Sequence, residues 1–339
     1  MIKKLLVALI STFVAAGLSV ADPAAPLKLA AKYKMPDAVK GHFDHLGVDV
    51  RGSRLFLAAE TEHEVLVFDL HTGEYLRAIP DIQIPHAIFV REDSNRIFVT
   101  DGGAGEVKIF DGRNYKLIGE VKLKVDSDSI GYDPATHDLY VDNGGGHAHE
   151  SFSTLSVVDT TRNEKVADIQ IDGDTLEAMA LAKSSPLMYV NNPAKNLIDV
   201  VNRETRKVET TWPVTACKRN VALALDESAH RLFTACRSGA IDVLDTQSGR
   251  ELQWLPIPQG VDDLVFDPAS KRLYAACFGD GGAVAVYHEE DADDYASLGE
   301  IASGLGGKNE VLVPQLQKLF VTIPPWQTQP GEVLAYDVQ

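Results

Sequence analysis

The stretch RIFVTDGGAGEVKIFD, Arg96 to Asp111, holds the pattern that decides the fold. A short apolar strand closes on an aromatic residue, a glycine-rich turn follows, and an alternating strand ends on a polar residue. The aromatic recurs at Phe56, Phe98, Tyr140, Tyr189, Phe233, Tyr274 and Phe320, at spacings of 42, 42, 49, 44, 41 and 46 residues. The strand after the turn recurs as VLVFD (65–69), VKIFD (107–111), LSVVD (155–159), IDVVN (198–202), IDVLD (241–245), VAVYH (284–288) and VLAYD (333–337). A period near 40–45 residues with several short strands per unit is the signature of propeller blades. The expected fold is therefore all-β, a seven-bladed β-propeller of four-stranded antiparallel blades.

Units one to six each continue into a further strand: EYLRAI, KLIGEV, EKVADI, KVETTW, RELQWL and SLGEI. Unit seven has none before Gln339. The segment LKLAAKYKM (Leu27–Met35) has the right length and partial alternation to supply it. The sequence thus predicts that this N-terminal strand pairs beside 333–338 and closes the ring, which removes an open blade edge.

Residues 1–21 stand apart. Lys3 and Lys4 precede an apolar run, and Ser19-Val20-Ala21 offers small residues for cleavage, as in a secretory signal peptide. The expectation is a bacterial periplasmic or secreted protein, free of the membrane once the leader is removed, with residues 22–339 forming a single propeller domain and no built-in need to oligomerise. The formal net charge is −17. An acidic surface without a basic cluster argues against nucleic-acid binding. Cys217, Cys236 and Cys277 make no disulfide framework. Cys236 and Cys277 occupy equivalent places in successive blades, too far apart for a bridge. All three read as small packing residues, with one bridge left open.

Four phrases, Phe98-Val-Thr-Asp101, Tyr140-Val-Asp-Asn143, Tyr189-Val-Asn-Asn192 and Phe320-Val-Thr-Ile323, are variants of Tyr-Val-Thr-Asn. On these the chain resembles the YVTN-type, YncE-like family of seven-bladed propellers, over essentially everything after the leader. The resemblance implies the fold. It implies no catalytic residue set, because similar propellers serve as lactonases, lyases, cofactor-binding domains and ligand-binding scaffolds, so function has to be argued from the site.

Topology says where to look. In an antiparallel blade the segment leading into the first strand and the loop after the second lie on one face, and first strands line the central channel. Those leading segments carry His42, Asp44 and His45; His86; Asp126 and Asp128; Asp174 and Glu177; Lys218, Arg219 and Asn220; Asp262 and Asp263; Lys308, Asn309 and Glu310. The rim loops of the same face add His63, Asp101, DNGGGHAHE (142–150), Asn191, Asn192, Arg237 and Trp326.

The one long spacing belongs to the third unit, whose rim loop carries His147 and His149. Imidazole and carboxylate together suit a divalent transition metal (zinc, manganese, iron, nickel or copper), with His42, His45, His86, His147 and His149 as candidate ligands. Asp128 or Glu177 would complete the set or act as base, and Arg219 and Arg237, with Lys218 and Lys308, form a cationic arc for a small polar or anionic ligand. The plain alternative for that arc is charge balance against Asp262, Asp263 and Glu310. Motifs for haem attachment, a nucleophile elbow, a P-loop or a dinucleotide site are absent, so no haem, flavin or nucleotide is expected. Two functions remain: a metal-assisted lyase or hydrolase acting on a lactone, ester or sugar derivative, and a non-enzymatic scaffold that binds a ligand, metal or protein through a rim containing Trp326.

Overall fold

The repeat pattern becomes seven separate four-stranded antiparallel sheets, each one blade. The computed structural model describes residues 25–339; the signal peptide read at 1–21 lies outside them. Blade one runs Leu46–Asp49, Arg54–Ala59, Glu64–Asp69 and Tyr75–Ile79 from the channel outward. Its five successors repeat this order. First strands of neighbouring blades touch in sequence around the channel, and that of blade seven (Glu310–Val313) meets that of blade one.

Blade seven takes its outermost strand from the N-terminal side, as the missing strand predicts. Leu27–Lys34 pairs antiparallel with Glu332–Val338, from Leu27 opposite Val338 to Lys34 opposite Glu332. Tyr33 secures the join: its ring is buried against Phe320 and its hydroxyl donates to the Leu70 carbonyl of blade one at 2.8 Å.

The seven repeat aromatics are all buried, and the core consists of the layers between blades. One such layer gathers Tyr33, Phe43, Leu55, Phe68 and Phe320 across the seam of blades seven and one. Burying each large side chain contributes about 1.5–3 kcal/mol, so the repeat itself is the main source of stability.

Two local readings change. Cys217 and Cys236 are bridged, with Cα atoms 5.9 Å apart, whereas Cys277 is free and buried. The bridge falls within blade five because the segment before its first strand folds back over the end of its second, where Asn220 is paired with Cys236. The insertion of blade three forms a 3-10 turn, Gly145–Ala148. Gly145 has φ of 65° and lies so close to the Asp174 carbonyl of blade four that no Cβ would fit. The turn is a clasp between blades, tied by the Gly146 N–H to the same carbonyl at 2.9 Å. Among the described residues no helix is long and apolar enough to cross a membrane.

Candidate functional site

The segments leading into the first strands converge at one mouth of the channel, and Asp44 of blade one sits at their centre. His86 of blade two places Nδ1 2.6 Å from Asp44 Oδ2. His45 lies between two carboxylates, with Nε2 3.6 Å from Asp44 Oδ1 and Nδ1 3.1 Å from Asp263 Oδ1 of blade six. Asp263 is itself fixed by the Glu310 N–H at 2.9 Å. A carboxylate on one ring nitrogen orients the imidazole and leaves the other nitrogen to serve as a donor.

Two groups of side chains here are close enough to hold a metal ion: Asp44, His45 and Asp128, and Asp44, Glu60 and His86, with donor atoms within 4.8 Å of one another in each. Asp44 is common to both. Asp128 Oδ1 is buried without a hydrogen-bond partner among the described residues, as are both carboxylate oxygens of Glu310. Three carboxylates and two imidazoles fit a hard or borderline divalent ion such as manganese, iron or zinc better than copper, which prefers more nitrogen or sulfur.

Of the five histidines read in sequence as ligands, the structure brings together His45 and His86, joined by Asp128, and leaves His42, His147 and His149 apart. His42 turns into a neighbouring apolar pocket, its backbone N–H bonded to Thr61. His147 is exposed and pairs with Asp126 at 2.5 Å, and His149 caps the 3-10 turn in a left-handed conformation. Arg219 is exposed and also left-handed. Glu60 is a member that sequence reasoning passed over. It directly follows the second strand of blade one, three residues before His63 in the same rim loop, so its place was readable from the topology that singled out His63.

Across the mouth, the cationic arc divides. Lys308 and Arg237 both pair with Asp262, which is the charge-balance arrangement, and Arg237 also stands 4.0 Å from Glu177. Lys218 is exposed on the rim.

Burial and crowding of like charges set the electrostatics. Burial opposes ionisation of Asp44, but the charges of His45, His86 and Lys308 and the His86 hydrogen bond hold its carboxyl well below the usual range. Burial also opposes the imidazolium forms, yet Asp128, Asp44 and Glu60 raise His86 to about 10, and Asp263 and Asp44 raise His45 well above its ordinary value. Glu177 is pushed up to about 8 by burial and by Asp128 and Asp262, despite Arg237. Burial likewise raises Asp128, Asp142 and Glu310. The mouth holds more carboxyl groups than its own cations can neutralise.

Residues of the first strands, with His45, enclose a cavity of about 270 Å³ lined by His45, Phe89, Ser129, Met179 and Glu310. Beside it, between blades six, seven and one, lies a mostly apolar pocket of about 630 Å³. Lys308 and Asn309 line that pocket, and Asn309 Nδ2 stands 3.4 Å from Asp44 Oδ1. The pocket and the carboxylate centre share a wall.

No family model matches the chain. It is similar to the seven-bladed beta-propeller protein Rv1057 of Mycobacterium tuberculosis, 30% identical over 132 residues, which is 38% of this chain and 33% of that protein. It is also similar to the uncharacterized protein YncE of Salmonella typhi, 28% identical over 115 residues, 34% of this chain and 32% of the relative. The matches thus span about a third of the length of these curated relatives. Among solved structures, Kuenenia stuttgartiensis Hydrazine Synthase superposes with a TM-score of 0.70 at 17% identity, covering 91% of this chain and 100% of that one. That likeness is one of fold. The repeat and the ring make the chain a seven-bladed propeller, and over about a third of their length it is similar to these propeller relatives.

Proposed function

We propose that the channel mouth is a divalent-metal-assisted acid/base site that hydrolyses a small neutral carbonyl compound, a lactone or ester. The observation that carries this reading is the cluster around Asp44, in which side chains from three blades bring His45, His86, Glu60 and Asp128 within coordinating reach of one carboxylate. A bound divalent ion would polarise the carbonyl and acidify water.

The other roles fall to the chain's own groups. Asp263 orients His45, and Asp44, Glu60 and Asp128 with the two imidazoles would hold the ion. Glu177 titrates near neutral pH and suits proton transfer: its carboxylate accepts a proton from water as the water oxygen adds to the carbonyl carbon. When the ester C–O bond breaks, the departing alkoxide takes that proton. Arg237, whose buried Nε–H lacks a partner among the described residues, is a donor available to the developing oxyanion. The same base could remove a proton beside a carbonyl, so a lyase reaction is the variant of this chemistry to screen next.

The surplus of carboxyl groups also supports a resident cation, because a divalent ion offsets the burial and the crowding of like charges that raise Asp128 and Glu177. The Cys217–Cys236 bridge and the leader-like residues 1–21 support export to an oxidising compartment, where residues 22–339 would act as a single-domain monomer.

The test is calorimetric titration of the chelator-treated protein with Mn²⁺ and Zn²⁺, followed by a lactone and ester screen of the loaded form. Expected are one tight site, proton release on binding, and turnover that Asp44→Asn abolishes. Absence of stoichiometric binding, or binding unchanged in Asp44→Asn, overturns the metal reading. Binding without turnover across the screen leaves the scaffold function in its place.

A further inference from the structure

Three exposed apolar side chains gathered on the mouth-bearing face have no place in the chemistry above. Phe278, Leu305 and Trp326 are 45%, 46% and 59% exposed, and all three line the pocket of about 630 Å³, together with Pro324 and Pro325. Exposed apolar side chains gathered into one concavity, rather than scattered, mark a binding surface. The volume falls within the range of small-molecule sites.

The walls are held in place. Gln329 ties the two loops that form them: its Nε2 donates to the carbonyls of Leu305 at 2.9 Å and Pro324 at 2.8 Å, and its Oε1 accepts from the Leu305 N–H at 3.1 Å. The Trp326 turn is closed by reciprocal backbone bonds with Gln329, at 3.0 and 2.7 Å. Phe278 lies over Gly260, where an added Cβ would come within 2.6 Å of its ring. At the inner end Asn309 is buried with Oδ1 unpartnered, and its Nδ2 contacts Asp44.

We infer that this pocket binds the aromatic body of a neutral aryl ester or aryl lactone and presents its carbonyl end to the Asp44 centre. The inference rests on the proposed function for the reacting end only. Flat walls of Trp326, Phe278 and two prolines favour a planar ring over an aliphatic chain, for which Leu305 is the main partner. Charge excludes an anionic body: Lys308 is already paired with Asp262, and the mouth carries surplus carboxyl groups, so a carboxylate ligand would be repelled. The shared wall at Asn309 and Asp44 sets the ring beside the reactive centre.

The test uses the metal-depleted full chain and two probes, coumarin as an aryl lactone and δ-valerolactone as its aliphatic counterpart, titrated by calorimetry. Coumarin is expected to bind at least about tenfold more tightly, Trp326→Ala to weaken it about tenfold while leaving δ-valerolactone unchanged, and Leu305→Asp to weaken both probes. Both positions are exposed, and a thermal melt of each variant confirms an intact fold. Equal affinities for the two probes, or coumarin binding unaffected by Trp326→Ala, overturns the inference. Repeating the titration on Asp44→Asn separates the two claims. Coumarin binding retained when this variant has lost its metal supports both claims; coumarin binding by a wild type that takes no metal keeps the pocket and overturns the metal reading, and metal binding by a wild type that ignores coumarin does the reverse.

Discussion

On the face away from the channel mouth, Arg54 of blade one reaches across the seam to the Gly112 carbonyl and the Tyr115 hydroxyl of blade two while its Nε donates to Asp49 at 2.9 Å. The pattern recurs around that face. Arg96 meets Thr160 and Asn163 of blade three, Arg203 meets Asp133, and Arg231 meets Ala292 and Asp293 of blade six. At the mouth, by contrast, Asp128, Asp142 and Glu310 keep buried oxygens without partners among the described residues, and acidic groups outnumber basic ones. The same fold thus treats charge in two ways. The seam arginines named here are paired, whereas several carboxyl groups that face the channel are not. Unpaired buried carboxyl groups lower stability, and they persist where a ligand can complete them.

The largest effect should come from the centre of the mouth. Asp44 belongs to both groups that could hold an ion, so Asp44→Asn should lower divalent-metal affinity by about two orders of magnitude or more, read by calorimetry. A full-affinity variant would mean that the excess charge at the mouth serves no cation, and the contrast between the faces would lose its functional meaning. Arg54→Ala tests the other face. It strands the buried Asp49 carboxylate and frees a blade seam, with an expected loss of about 3–5 kcal/mol in denaturant unfolding and unchanged metal content. Equal sensitivity of metal content to both variants would break the division.

A smaller effect of opposite sign is expected at Glu177. Its folded pKa, about 8, lies above its unfolded value, so the stability it contributes is complete below about pH 4.5 and is lost as pH rises through 8. Glu177→Gln removes that loss. The metal-free variant should therefore melt a few degrees above the wild type at pH 9 and close to it at pH 4. An identical pH dependence for the two proteins would show that the mouth is not strained by this carboxyl.

The blades and their closure were legible because each rests on repeated local pattern: one aromatic per blade, one alternating strand after it, and one missing outer strand that Leu27–Lys34 fills. The mouth was legible from strand order alone. Which of its histidines meet was not, because that depends on side-chain direction. His42 and His45 are three residues apart on one segment, yet one faces the apolar pocket and the other Asp263. Three of the seam arginines had a visible signal, since Arg54, Arg96 and Arg231 each stand two residues before the repeat aromatic, but their partners in other blades are named by no local pattern.

The smallest effect should follow His147→Ala/His149→Ala, although the His-x-His spacing made this pair the most conspicuous in the sequence. Blade three's insertion turns away from Asp44: His147 is largely exposed and bonded to Asp126, and neither residue joins the groups that could hold an ion. Loss of an exposed ion pair changes stability by about 0–1 kcal/mol. The double variant should bind Mn²⁺ or Zn²⁺ as the wild type does and melt within a few degrees of it. Loss of metal in this variant would move the centre to the rim of blade three and would make the buried cluster around Asp44 a structural network like that of the opposite face. Retention confines any bound ion to the carboxylate-rich mouth.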